Sequence, residues 1–394
     1  MKTPSNTFCI LPWMHMATNA SGNLRVCCNS IPGKNYITRD DTNKPYNISD
    51  KDAHDYWNST VYKNIRKEML ENRRPEMCAR CFTEEDSGIK SARISCNEAW
   101  GYNDNFDIIA KDNIKYFDIR LGNLCNLKCR MCNPFASNQW IDEWHLVDKV
   151  LPDTEKTRLK KMNWFEKDTV WDNIAKYAGN IEEIYLTGGE PTLAISQYKL
   201  FDKLIKLGVA KNIRLKYNTN LTNLPEKMLD YWKKFKKVKI NASIDGFKDV
   251  NKYIRYPTNW SLVEENLDKF FNLQNENKCV LQIHITVQIY NILYLNDLLD
   301  WLLNKDINNI YFNILNHPEY LNIRVLPNNL KAKATKNLEN YKHLEKINGV
   351  ISYMHKDDKS NLLKDFKNYT LQLDKTRKEN CKKILPEIGS LVYA

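Results

Sequence analysis

The sequence predicts an α/β protein built on a parallel sheet, with a cysteine-rich segment before the sheet and helices after it. Three observations lead there. Six short apolar runs, at 114–121, 184–187, 213–217, 238–243, 280–289 and 310–314, alternate with helix-patterned stretches, which is how strand-helix units read when helices cover a parallel sheet. Eleven cysteines occur in 394 residues, and the first residues lead into no secretory pattern; that usage points to metal or redox chemistry rather than a disulfide scaffold. After Pro327, Leu330, Ala334, Leu338 and Tyr341 recur at helical intervals up to Gly349, and 362–384 continues as a basic helical stretch.

Composition narrows the class further. Hydrophobic residues make up 42% and charged residues 27% of the chain, the balance of a soluble globular protein. No run approaches the roughly 20 apolar residues of a membrane span, so the expectation is a cytoplasmic protein with no membrane partner. The net charge of +11 comes from lysines dispersed among acids, the pattern of a solvated surface. A nucleic-acid partner would rest on that charge alone, because no nucleic-acid motif accompanies it.

Taken in order, the segment up to about 104 contains Cys9, Gly22 and Cys27 in C-x12-G-x4-C spacing. Asn19 to Gly22 reads as a hairpin turn that sets two thiols side by side. A helical stretch over 61–71, with Ile65, Met69 and Leu70 at helical spacing, leads to Cys78 and Cys81 in C-x2-C. Four cysteines close the coordination of zinc or of an iron–sulfur cluster, and Cys28 is the alternative to Cys27. A polar linker, 97–113, then reaches the first strand of the sheet.

The loop after that strand carries Cys125, Cys129 and Cys132 in C-x3-C-x2-C. Three thiolates hold three irons of a four-iron cluster and leave one open for another ligand; a zinc site or three unrelated thiols are the alternatives. A long helical region is expected from about 137, a charged excursion over 151–168, and a helix over 171–177. The second strand ends in Thr187-Gly188-Gly189-Glu190-Pro191. Paired glycines let backbone approach a ligand closely, and carbonyls beside a carboxylate suit an ammonium group. Helices over 198–207 and 228–235 flank the third strand, which ends in Asn218-Thr219-Asn220. The fourth ends in Ser243-Ile244-Asp245-Gly246, with Arg255 beyond it. A helix over 295–303 joins the last two strands. Asp245-Gly246 reads as a turn. His284 and His317 read as ordinary packed or solvated residues, and Cys381 as a structural thiol.

The C-x3-C-x2-C loop followed one strand later by Gly-Gly-Glu-Pro resembles the radical S-adenosylmethionine (SAM) superfamily. The resemblance implies a partial (β/α)6 TIM-like barrel over 114–327. It further implies a 4Fe-4S cluster on Cys125, Cys129 and Cys132, and SAM contacts at Gly188, Gly189, Glu190, Pro191, Ser243 and Arg255. Met131 stands where the family commonly has an aromatic residue beside the adenine; a thioether keeps that position apolar. The C-x12-G-x4-C and C-x2-C set resembles the SPASM or twitch module, implying an auxiliary 4Fe-4S cluster on Cys9, Cys27, Cys78 and Cys81. The module, 1–104, precedes the barrel here, whereas in most of the family it follows; 328–394 forms a C-terminal helical extension. The implied activity is that of a radical SAM oxidoreductase or maturase. It would cleave SAM to a 5'-deoxyadenosyl radical that takes hydrogen from a peptide or protein side chain or a small molecule, with the auxiliary cluster as electron acceptor and flavodoxin or ferredoxin as external donor. A nucleotide or RNA modifier and a non-catalytic cluster- or zinc-binding interaction protein are the competing readings.

Overall fold

The computed structural model describes residues 3–30, 36–86, 90–101, 106–148, 150–275, 279–344 and 346–393. Residues 102–105 of the expected linker, with the boundary at 104, and residue 345 of the expected helical run lie outside them. The described residues form eight strands: β1 (His15–Thr18), β2 (Leu24–Arg25), β3 (Tyr116–Leu121), β4 (Glu183–Gly188), β5 (Arg214–Thr219), β6 (Lys237–Ser243), β7 (Cys279–Val287) and β8 (Ile310–Ile314). Their order is β2-β1-β3-β4-β5-β6-β7-β8. The order ends at β2 and β8, so the sheet is open, and β3 to β8 are the six strands expected from the apolar runs.

The described chain packs as two units, one of residues 1–124, 162–217 and 227–238 and the other of 125–161, 218–226 and 239–394. In the first, β3, β4 and β5 are parallel and in register, with Asp118 beside Tyr185 and Tyr185 beside Lys216. Side chains alternate across a strand. Phe117, Ile119, Ile184, Leu186, Leu215 and Tyr217 are fully buried, leaving the opposite face to Tyr116, Asp118, Arg120, Tyr185 and Lys216. The Lys216 ammonium lies 4.3 Å from the centre of the Tyr185 ring. The expected hairpin is present: β1 and β2 pair antiparallel, and the Asn19 side chain accepts the Ser21 and Asn23 N–H groups across the turn. β1 also pairs parallel with β3, His15 beside Tyr116. The hairpin therefore extends the sheet.

In the second unit β7 and β8 pair parallel, and β7 alternates between buried and half-buried residues along its whole length. Two expectations change here. The long helix expected from about 137 is replaced by two 3-10 turns, Asn138–Trp140 and Trp144–Leu146, because Ser137 and Trp140 spend their polar groups on the preceding loop: Ser137 Oγ donates to the Leu127 carbonyl (2.5 Å) and Trp140 Nε1 to the Cys129 carbonyl (3.0 Å). A helix of 16 residues, Trp260–Asn275, was not anticipated. Val263, Leu267 and Phe270, all buried, stand at i, i+4 and i+7, a helical signal already legible in the sequence.

Helix Leu363–Arg377 carries Asp374, whose buried carboxylate accepts from Arg130 Nη2 (2.7 Å), Tyr253 OH (2.8 Å), the Cys381 N–H (2.7 Å) and Tyr393 OH (2.8 Å). Arg130, fully buried, also pairs with Glu379 at 2.8 Å and stacks 3.6 Å over the Tyr253 ring. Removing one partner of such a pair leaves uncompensated buried charge, at a cost of about 3–5 kcal/mol. Arg130→Met is therefore expected to lower the free energy of unfolding in urea by that amount.

Candidate metal centres and cofactor site

All eleven cysteines are free thiols. In the first unit, Cys9, Cys27, Cys78 and Cys81 line one cavity of about 620 Å³ including its open mouth, together with Cys28, Cys96, His15 and Asp118. Each element delivers its thiol for a local reason. Cys9 precedes the turn Leu11–Trp13, Cys27 follows β2, Cys78 closes the turn Glu76–Cys78, and Cys81 opens the helix Ala79–Asp86. Cys96 sits on helix Ala92–Trp100, which Ser91 caps by accepting the Ile94 N–H. Cys96 stands just before the expected polar linker and was assigned no role from the sequence. Its only signal was C-x14-C spacing after Cys81, which names no metal motif by itself.

Burial pushes the thiols of Cys9 and Cys78 well up, that of Cys27 to about 11 and that of Cys96 to about 12. Neighbouring sulfurs add to the rise at all four sites. Such thiols stay protonated until a cationic group supplies countercharge, so loading the cavity releases protons. The sulfurs line one cavity, and a polynuclear cluster spreads its cysteine ligands over separate irons. The donor set thus fits an iron–sulfur cluster.

In the second unit the three-cysteine loop is held by its backbone. Lys128 N–H donates to the Tyr256 carbonyl (2.7 Å), Arg130 N–H to the Ile254 carbonyl (2.8 Å) and Cys132 N–H to the Cys129 carbonyl (2.9 Å). Leu127 N–H points at Cys125 Sγ (3.4 Å). Cys125, Leu127 and Cys129 are buried together, with Met131 and Cys132 packed against them. Cys132 donates a hydrogen bond to Cys129, which pulls the Cys129 thiol down and, with burial, pushes that of Cys132 well up; the positive charge of Arg255 acts to lower both. Arg255 is thus within electrostatic reach of two of the three sulfurs. Its Nε lies 2.8 Å from Asp245 Oδ2. Asp245 is no mere turn residue: it is fully buried and accepts the Thr286 N–H at 2.7 Å. Ser243 is half-buried at the end of β6. Asn220, at the end of the third expected strand, donates to Asn126 Oδ1 at 3.0 Å. His284 is half-buried and stacks on Tyr311, and His317 is exposed.

The glycine turn belongs to the first unit. Glu190 N–H donates to the carbonyl of Leu124, the residue preceding Cys125, at 2.8 Å. A Cβ on Gly189 would sit 2.2 Å from that same oxygen, and one on Gly188 (φ 143°) 2.7 Å from the Leu121 carbonyl. Both positions need glycine because backbone meets backbone there. Glu190 is 2% exposed, and its carboxylate accepts from Thr192 Oγ1 at 2.7 Å.

A cavity lined by six thiols and a separate three-cysteine loop after a parallel strand define a metal-cluster protein of the α/β class. The model of the radical SAM superfamily matches residues 119–302, and that of the iron-sulfur cluster-binding domain, SPASM, matches residues 9–82. Residues 119–302 thus form a radical SAM domain and residues 9–82 a SPASM domain; the cofactors that go with these two domains are 4Fe-4S clusters and SAM. No curated protein matches it. Among solved structures, native anSMEcpe with bound AdoMet is 21% identical, with a TM-score of 0.41, over 58% of this chain and 59% of that one. SuiB of Streptococcus suis is 13% identical, with a TM-score of 0.36, over 78% of this chain and 67% of that one. The chain thus spans less than two thirds of the first of these. Among the described residues, no helix is long and apolar enough to cross a membrane.

Two outcomes are expected. Gly189→Ala must displace the Leu124 carbonyl, costing about 1–3 kcal/mol in urea unfolding, whereas Gly179→Ala, with nothing within 4 Å of the new Cβ, should cost far less. Burial pushes the Asp118 carboxyl up to about 6 from its ordinary 3.8. The fold favours its protonated form, so that contribution is fully present below about 4 and is lost as pH rises through about 6. In metal-free protein, Asp118→Asn should gain on wild type by roughly 3 kcal/mol between those limits.

Proposed function

We propose that this protein binds SAM beside Cys125, Cys129 and Cys132, cleaves it reductively and directs the resulting radical at a peptide or protein side chain, with a small molecule as the alternative substrate. The observation that carries the reading is that the buried positive charge of Arg255 acts on the Cys129 and Cys132 sulfurs, since a cationic fork within reach of a three-thiol loop suits the carboxylate of an amino-acid ligand. Cluster and SAM, when bound, supply the one-electron cleavage that yields methionine and a 5'-deoxyadenosyl radical.

The chain's own groups do the rest. Cys125, Cys129 and Cys132 hold the loop cluster and leave one iron open. Gly188, Gly189, Glu190 and Pro191 offer the methionyl ammonium backbone carbonyls and a buried carboxylate, Arg255 receives the carboxylate, and Ser243 bonds the ribose or carboxylate. Asp245 orients Arg255 and offsets part of its charge. Met131 keeps an apolar surface against the adenine. Cys9, Cys27, Cys78 and Cys81 hold the auxiliary cluster, which four thiolates close to ligands and so suit to electron acceptance rather than substrate binding. In this scheme 1–104 is the auxiliary module, 114–327 the core barrel and 328–394 the helical extension, and flavodoxin or ferredoxin serves as the cytoplasmic electron source.

Anaerobic reconstitution should give about eight irons per chain, for two four-iron clusters, and reduction with SAM should release 5'-deoxyadenosine. The Cys125→Ala/Cys129→Ala/Cys132→Ala variant should keep about half the iron and release none. Continued SAM cleavage by that variant would remove the central assignment, and zinc in place of iron at Cys9, Cys27, Cys78 and Cys81 would remove the auxiliary one.

A further inference from the structure

Beside its thiols, the N-terminal cavity is lined by one imidazole whose nitrogens make no hydrogen bond of ordinary geometry. His15 on β1 is 1% exposed, and around Nδ1 and Nε2 only the Val26 backbone acts on the ring, without reaching hydrogen-bond geometry. The ring faces the cavity that Cys9, Cys27, Cys28, Cys78, Cys81 and Cys96 line. It is held there by Tyr116, its neighbour in the parallel β1–β3 register, with ring centres 4.6 Å apart. Buried polar groups in folded proteins are almost always paired, and an orphaned N–H carries its full desolvation cost. In either protonation state an imidazole brings at least one N–H donor.

What partner such a donor finds depends on what fills the cavity. Six thiols are two more than a four-iron cluster takes, so no coordination vacancy calls for the imidazole nitrogen. Sulfur acceptors, by contrast, are what a bound cluster brings. We propose that His15 is a positioning residue for the N-terminal cluster, donating its ring N–H to a cluster sulfide or cysteine sulfur and thereby setting the reduction potential of that cluster. The inference rests on the reading above that Cys9, Cys27, Cys78 and Cys81 hold a four-iron cluster. A hydrogen bond to sulfur stabilises the reduced, more negative state and raises the potential. That is the direction an electron acceptor needs.

The test uses reconstituted full-length protein carrying His15→Phe or His15→Gln, made in the Cys125→Ala/Cys129→Ala/Cys132→Ala background so that only the N-terminal cluster contributes. Iron and sulfide content and an EPR-monitored redox titration are the readouts. Phenylalanine keeps the contact with Tyr116 and removes the donor, while glutamine keeps an N–H. The expected result is unchanged iron in both variants, a midpoint potential shifted negative in His15→Phe, and recovery of most of that shift in His15→Gln. Identical potentials in parent and His15→Phe would overturn the proposal, as would loss of iron from His15→Phe, which would make the imidazole a ligand or a prop. A background protein that takes up zinc or no metal would show instead that the cluster reading has failed, and the role of His15 with it. Should that background not fold, the same titration of the otherwise wild-type protein with SAM present separates the signals, since SAM perturbs only the loop cluster.

Discussion

The pairing of Arg130 with Asp374 is what the three-cysteine loop depends on. Arg130 stands between two of the cysteines, so wherever its guanidinium is anchored, the sulfurs on either side follow. The anchor is a buried carboxylate near the end of helix Leu363–Arg377 that already satisfies two tyrosine hydroxyls and a backbone N–H. Such a buried ion pair contributes less to net stability than to fixing a single arrangement. Arg377, one turn on, pairs with Glu143 at 3.4 Å and stacks 4.7 Å from the Trp140 ring centre. The last helices are thus part of the support of the loop, although in the sequence they read only as a basic tail.

The glycine turn shows the same economy from the other side of Leu124. Close approach of Gly189 to the Leu124 carbonyl and the hydrogen bond from Glu190 fix the backbone immediately before Cys125. Sequence motif and physical cause coincide there, because a side chain on either glycine would collide with main chain rather than with something able to yield.

How legible this was in the sequence varied with the range of the forces involved. Strands with one fully buried face announced themselves as apolar runs, and all six appear within a few residues of expectation. The thiol loop and glycine turn were legible because each is a local motif. The 3-10 turns after Ser137 were not: their hydrogen bonds go to the cysteine loop, and no local pattern records a tertiary competitor. Asp245 read as a turn residue because Asp-Gly is common in turns, while its burial under Arg255 depends on β7 through Thr286. Cys96 and His15 entered the picture only when a helix and a strand brought them to the same cavity as the four motif cysteines. No spacing rule spans elements that meet through the fold.

The parallel pairing of β1 with β3 sets a timetable for maturation. During synthesis the hairpin carrying Cys9 and Cys27 leaves the ribosome first, but the strand against which it lies ends only at Leu121. Contacts so distant along the chain form late, because loop closure must precede them. Until then, metal delivered to the early thiols would be held by a two-stranded ribbon, which is marginal in water by itself. Cluster loading at the N-terminal site therefore belongs after translation of the first barrel strand, and the scaffold that delivers iron and sulfide has a nearly complete unit to recognise rather than a nascent peptide.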